Sequence, residues 1–218
     1  MALTDKTRAE MREIMARYPQ ARSALLPMLH LVQSEEGYVT PEGIEMCADE
    51  LGITAAEVTG VVTFYTMYKR RAMGKHHVGV CTNSLCAIMG GDAIFAQLKD
   101  HLGVGNDQTT ADGQITLEHI ECQAACDYAP VLTIDWEFFD NQTPGSAIDL
   151  MNDLIANREV KSTRGPVITS WRDNERLFAG FADGKVNEGP AAGEASLLGL
   201  KLAKERGDSI PANPGADA

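Results

Sequence analysis

Several things are missing from this 218-residue chain. No apolar run approaches the ~20 residues needed to span a bilayer, so insertion into a membrane is not expected. The opening residues, MALTDKTRAEMREIM, contain no apolar signal-peptide core, and Asp5, Glu10 and Glu13 argue against a mitochondrial presequence. Without export, the thiols are expected to stay reduced and free to bind metal. Base is nearly absent from residues 76–156, which hold Lys99 alone against twelve acids. Residues 1–75 hold nine bases and ten acids, and residues 157–218 nine of each, so the middle segment carries almost all of the net charge of −12. Such a surface repels nucleic acid and anionic lipid and suits a basic protein face. No G-x-G-x-x-G follows a predicted strand, so no dinucleotide site is expected within the chain. An acid–base pair, a nucleophilic triad and an internal repeat are also absent.

What is present begins with helices. Thr7 and Glu10 suggest a capping box before Met11, Ile14 and Met15, with Tyr18-Pro19 as the stop. Ser23 is a candidate cap for a second helix, with Pro27 in its first turn, Leu25, Met28, Leu29 and Val32 inward, and Gly37 closing it. Thr40-Pro41 opens a third helix with Ile44, Cys47, Ala48 and Leu51 inward and Gly52 at its end. Thr54 and Glu57 form another capping box ahead of Val58, Val61, Val62 and Phe64. Four short helices predict a small bundle over residues 1–73. The helix–turn–helix spacing does not indicate DNA binding, since the segment is nearly neutral and has no basic recognition face.

The period changes at Gly74. Residues 75–80 predict a strand ending at Cys81, Gly90-Gly91 precedes a helix with Ile94, Phe95, Leu98 and Leu102, and Asp112-Gly113 turns into a strand over 115–120. A strand at 131–134 and a helix after Pro144, with Ile148, Met151, Leu154 and Ile155, complete an α/β segment over 74–157. Residues 158–185 contain Trp171, Leu177, Phe178 and Phe181, too apolar for a free tail, and are expected to pack on a partner. Residues 207–218 read as disordered.

The chemistry lies in four of the five cysteines. Cys81 and Cys86 enclose four residues, Cys122 and Cys126 enclose three, and 35 residues separate the pairs. Two tight pairs in loops after strands can bring four thiolates to one small volume. The gaps favour an elongated binuclear iron–sulfur site, with zinc, usually held at C-x2-C, as the structural rival. A thioredoxin-type dithiol would need C-x-x-C. Ala87, Gly90, Gly91, Ala124, Ala125 and Ala129 would let backbone approach the sulfurs, and Thr82 and Ser84 could add hydroxyl donors. A four-thiolate binuclear cluster carries a formal charge of about −2 oxidised and −3 reduced. Glu121 and Asp127 add to that field, so a low reduction potential is expected. Cys47, inward on a helix, reads as a buried small hydrophobe. His76 and His77 are expected at an interface or in solvent. His30 is expected to be packed or capping, and His101 and His119 lack ligand spacing.

Four runs carry a resemblance: Leu25–Gln33, Val62–Tyr68, Cys81-Thr82-Asn83-Ser84-Leu85-Cys86, and Cys122-Gln123-Ala124-Ala125-Cys126 continuing to Val131. Over residues 10–157 the chain resembles the 24 kDa subunit, the E subunit, of NADH:quinone oxidoreductase, bacterial respiratory complex I. The C-terminal arm (158–218) departs from the shorter members, and the resemblance implies an N-terminal helical domain (1–73) and a thioredoxin-like ferredoxin domain (74–157). It implies one 2Fe-2S cluster on Cys81, Cys86, Cys122 and Cys126. It further implies a direct partner subunit binding FMN and NADH, contact of the arm with the large iron–sulfur subunit, and a peripheral place on the cytoplasmic side of the plasma membrane. NAD-linked hydrogenases and formate dehydrogenases share the module and stand as the alternative. A zinc-stabilised adaptor without redox function is the alternative from another class. Many members have Leu-Gly where this chain has Gln123-Ala124.

Overall fold

The computed structural model describes residues 3–165, 167–185, 189 and 193–208. Its first four helices are α1 (Asp5–Met15), α2 (Leu25–Glu36), α3 (Pro41–Leu51) and α4 (Ala55–Phe64). Local signals set most of their ends. Thr40 caps α3 through the Gly43 N–H with Pro41 at the first position, and Thr54 and Glu57 cap α4 reciprocally. Gly37 and Gly52 close α2 and α3 in the left-handed conformation. The first cap differs from expectation: Thr4, not Thr7, caps α1, and Thr7 is the residue that answers it. Ser23 caps nothing, because a single 3-10 turn, Ala21–Ala24, leads directly into α2. Met11, Met28, Leu29, Val32, Cys47, Val58 and Val62 fill the bundle's core. Phe64, expected inward, is 76% exposed, because α4 ends there and Tyr65 turns into extended backbone.

The second unit is a five-stranded mixed sheet in the order β2-β3-β1-β4-β5. The strands are β1 (His76–Cys81), β2 (Gln108–Thr109), β3 (Ile115–Ile120), β4 (Leu132–Ile134) and β5 (Glu137–Phe139). β1 and β3 run parallel, from His76 opposite Ile115 to Cys81 opposite Ile120. Their connection passes through α5 (Ser84–Met89) and α6 (Gly91–Leu102), as a parallel crossover requires. β4 pairs antiparallel with the other side of β1. The helix α7 (Pro144–Ile155), capped by Thr143, packs beside α6. Val78, Val80, Ile115, Leu117, Leu132 and Ile134 meet Ile94, Leu98, Met151 and Leu154 in one core.

All six residues of β1 are buried, since both faces of the sheet are covered. The second face is polar. His77 and Glu118 lie on it, and the segment linking the bundle to the sheet covers it through Lys69, whose ammonium donates to Glu118 at 2.5 Å. The His77 ring Nε2 donates to Glu118 at 2.7 Å, and the ring packs on Trp136 and Trp171. His76 pairs with the buried Asp135 at 2.7 Å. The expectation that these two histidines face solvent or a partner is therefore wrong: each is buried against an acid far away in sequence.

Residues 158–185 also depart from expectation, because they pack on the chain itself. Ser170 caps α8 (Trp171–Phe178), and Trp171 is fully buried. α8 lies along α2. Glu175, fully buried, accepts from Gln33 at 2.6 Å and pairs with His30 at 2.6 Å, while Arg172 donates to the Ser34 and Glu35 carbonyls at the C-terminus of α2. Arg176 bonds Glu10 on α1. His30 is thus a packed histidine, as expected, with Tyr68 and Phe178 on its faces. A last helix, α9 (Glu194–Arg206), exposes Leu197, Leu198 and Leu200. Of the stretch 207–218, only Gly207 and Asp208 fall within the described residues. No helix among the described residues is long and apolar enough to cross a membrane.

Candidate functional site

The sheet delivers the cysteines. β1 ends on Cys81, and its partner β3 ends at Ile120, two residues before Cys122, so parallel pairing sends both loops off the same edge. After Cys81 the chain turns at Asn83 into α5, which carries Cys86. This short helix is a feature that periodicity did not reveal. Gly90, at φ +119°, ends it and starts α6. A Cβ on Gly91 would stand 2.5 Å from the Cys81 carbonyl oxygen and 2.9 Å from that of Cys86, so only glycine permits this approach. The small residue at position 91 therefore serves close backbone packing behind the first pair.

Cys81 and Cys86 are buried and pack with Ala125 and Val131. The Val131 carbonyl accepts from the Cys81 N–H at 3.1 Å. Val131 follows Pro130, whose peptide bond with Ala129 is cis. Cys122 and Cys126 are exposed, with their sulfurs 4.0 Å apart. Ala124 between them has φ +53°, and residues Cys126–Tyr128 form a 3-10 turn. Cys126 lies close enough to Cys81 and Cys86 for their charges to interact. Cys47 stands apart in the bundle core, fully buried, with its thiol pushed up to about 12 by burial.

Geometry and electrostatics bear on which group could sit here. With metal–sulfur bonds near 2.3 Å, two thiolates on one tetrahedral metal lie roughly 3.8 Å apart. The Cys122–Cys126 separation of 4.0 Å fits such a pair. Cys81 and Cys86 lie together in one buried cluster. Among the described residues, no three His, Cys, Asp or Glu side chains converge tightly enough to hold one ion. The four cysteines lie in two loops at one end of the sheet, one pair buried and one exposed. Burial, then Cys81 and Cys126, push the Cys86 thiol up to about 11 against the opposing Val131 N–H, and Cys122 raises Cys126. Four neighbouring thiolates thus need bound cations to coexist.

The surface around the second pair is acidic and partly apolar. Glu121 and Asp127 flank it, and Ile88 on α5 is 82% exposed beside Met89 and Leu85. A cleft of about 620 Å³ runs from this loop to the bundle, with Glu121, Gln123, Tyr65, Lys69, Trp136 and Phe178 among its walls.

Comparison with known proteins bears on the family of the chain. Residues 11–155 match the family described as Thioredoxin-like [2Fe-2S] ferredoxin. The chain is 55% identical over 207 residues to the E subunit of NADH-quinone oxidoreductase from Mycobacterium tuberculosis (strain ATCC 25618 / H37Rv), covering 94% of this chain and 82% of that protein. It is 36% identical over 139 residues to NADH-quinone oxidoreductase subunit 2 of Thermus thermophilus, covering 63% of this chain and 77% of the relative. Among solved structures, an NAD+-reducing [NiFe]-hydrogenase in the air-oxidized state superposes with a TM-score of 0.55 at 16% identity, over 61% of this chain and 23% of that one, which shows a shared fold. With its cysteine-bearing loops set on a five-stranded sheet and its match spanning both the bundle and that sheet, the chain belongs to the thioredoxin-like [2Fe-2S] ferredoxin family, among the E subunits of NADH-quinone oxidoreductase.

Proposed function

We propose that Cys81, Cys86, Cys122 and Cys126 hold one binuclear iron–sulfur cluster, two thiolates to each iron, and that the chain passes single electrons through it within NADH-quinone oxidoreductase. The pairwise grouping of the sulfurs carries this reading: a 4.0 Å pair in one loop and a buried pair in the other. That grouping favours iron–sulfur over the zinc adaptor. Bound there, the cluster supplies one-electron redox chemistry. The chain's own residues do the rest. Gly91 admits the backbone behind the first pair, the Val131 carbonyl accepts from the Cys81 N–H, and the buried side of the site excludes water.

In this reading residues 1–73 and 74–157 are the two domains and 158–218 the arm. The partner is the subunit that binds NADH and FMN, and the assembly sits on the cytoplasmic side of the plasma membrane. The exposed second pair, with Ile88, Met89 and the acidic rim, is the face offered to that partner. The leucines of α9 are the part of the arm left to meet the large iron–sulfur subunit. Copurification and anaerobic spectroscopy test both levels. The chain isolated from its complex should be brown, bleach with dithionite and give a paramagnetic signal of a reduced binuclear centre. A colourless zinc protein would overturn the cluster reading. A brown chain that purifies with a hydrogenase and no quinone-reducing activity would overturn the assignment to this complex.

A further inference from the structure

Residues 76–156 contain a single base, yet the fold brings another cation to the cysteine loops from outside that segment. Arg164, in the arm, stacks its guanidinium over Tyr128 at 4.8 Å from the ring centre and over Phe138 at 4.6 Å. Its Nε and Nη2 donate to the two carboxylate oxygens of Asp140 at 2.7 and 2.8 Å. Thr163 sets the approach, because its N–H and hydroxyl both donate to the Phe138 carbonyl. The pair is largely withdrawn from water, with Arg164 21% and Asp140 9% exposed. Asp127, the residue after Cys126, also acts on Arg164 electrostatically.

The two rings matter most. Tyr128 and Phe138, with Ala129, pack against the buried cluster of Cys81, Cys86, Ala125 and Val131. The rings that carry the guanidinium thus belong to the packing around the first cysteine pair, and Tyr128 ends the turn that begins at Cys126. Aromatic rings carry little water, so the charge is weakly screened in that direction. A purely mechanical buttress would account for the stacking, but any apolar side chain could supply that. A guanidinium held in a bidentate fork also supplies a fixed charge.

We propose that Arg164 positions the Cys126–Tyr128 turn and raises the reduction potential of the centre held by the four cysteines. The proposal rests on the cluster reading above. One-electron reduction, by dithionite in a titration, adds one negative charge at the site and breaks no bond. A cation behind the rings favours that step, offsetting the field of Glu121, Asp127 and Asp140.

Redox titration of the full-length chain, followed by paramagnetic resonance, tests it with Arg164→Gln, Arg164→Lys and Asp140→Asn. Arg164→Gln should make reduction less favourable by about tenfold, a downward shift of 59 mV for one electron. Arg164→Lys, which keeps the charge but loses the fork, should restore most of the potential, and Asp140→Asn should move it upward. An unchanged midpoint in Arg164→Gln, or equal shifts in the glutamine and lysine variants, would overturn the role of the charge. If wild-type protein gives no binuclear signal at all, the cluster reading fails first and this proposal with it.

Discussion

Cys81 and Cys86 are 2% and 4% exposed, while Cys122 and Cys126 lie open to solvent. The first pair is set by regular structure: the last residue of a central strand, a helix that follows it, and a glycine that admits the backbone behind them. The second is set by a loop with a left-handed alanine and a single 3-10 turn. One half of the site is therefore rigid and dry, and the other is adaptable and faces outward. An electron-transfer centre benefits from both, since burial protects the metal while an exposed edge shortens the path to a partner.

The largest expected effect separates the two halves directly. Cys86→Ser should leave no cluster spectrum after anaerobic reconstitution, because the rigid pocket cannot adjust to a different ligand and cluster binding is coupled to loop folding. Cys126→Ser should retain some iron with an altered spectrum, since its loop can move. A normal spectrum in Cys126→Ser would remove it from the ligand set. Gly91→Ala comes next. Its Cβ would press on the Cys81 and Cys86 carbonyl oxygens, and the required backbone shift should cost about 1–3 kcal/mol and lower iron content per chain.

A third effect concerns the strands that carry the two pairs. Glu118 on β3 bonds His77 on β1, and Lys69 closes the bridge. Burial alone would raise its pKa, but the His77 hydrogen bond and the Lys69 charge outweigh that and hold it at about 2, below the ordinary 4.5. A depressed carboxylate contributes stability above its unfolded pKa and loses it as pH falls through the folded value. The stability advantage of wild type over Glu118→Gln should thus be full above about pH 5 and shrink between about pH 4.5 and pH 2. Fluorescence of Trp136 and Trp171, which flank His77, reports it during acid titration. An advantage that does not change with pH would show that the charge of Glu118 is not what ties the strands.

Ala124→Gly should stabilise the exposed loop by about 1 kcal/mol, because glycine adopts φ +53° without the Cβ penalty. Hydrogen exchange over residues 122–128 should slow, and faster exchange would mean the alanine is unstrained. Cys47→Ser should change least at the site: the cluster spectrum stays intact, and only packing in the bundle core is lost.

Much of this was legible in the residues, for local reasons. The cysteine pairs announce themselves because metal ligation needs one residue type at short spacing, and caps such as Thr40-Pro41 and Thr54 with Glu57 act within one turn. The Gln123-Ala124 difference marked a real peculiarity, the left-handed alanine. What stayed hidden depends on distant pairing. His76 and His77 find Asp135 and Glu118 at separations of 59 and 41 residues. The arm folds back because Glu175 matches Gln33 and His30, a fit no periodicity records. β2 and β5 are too short to show an alternating pattern, and α5 is under two turns long. Arg164 reaches the site from beyond the matched family region, so its place could be seen only in the fold.

Mössbauer spectroscopy of the chain enriched in iron-57, combined with iron and acid-labile sulfide analysis, tests the central claim most directly. Two irons and two sulfides per chain, with two tetrahedral sulfur environments that become one ferric and one ferrous site on reduction, are the expected result. A single iron environment without labile sulfide would contradict it, because the four thiolates would then serve one metal and the two pairs would have no separate roles.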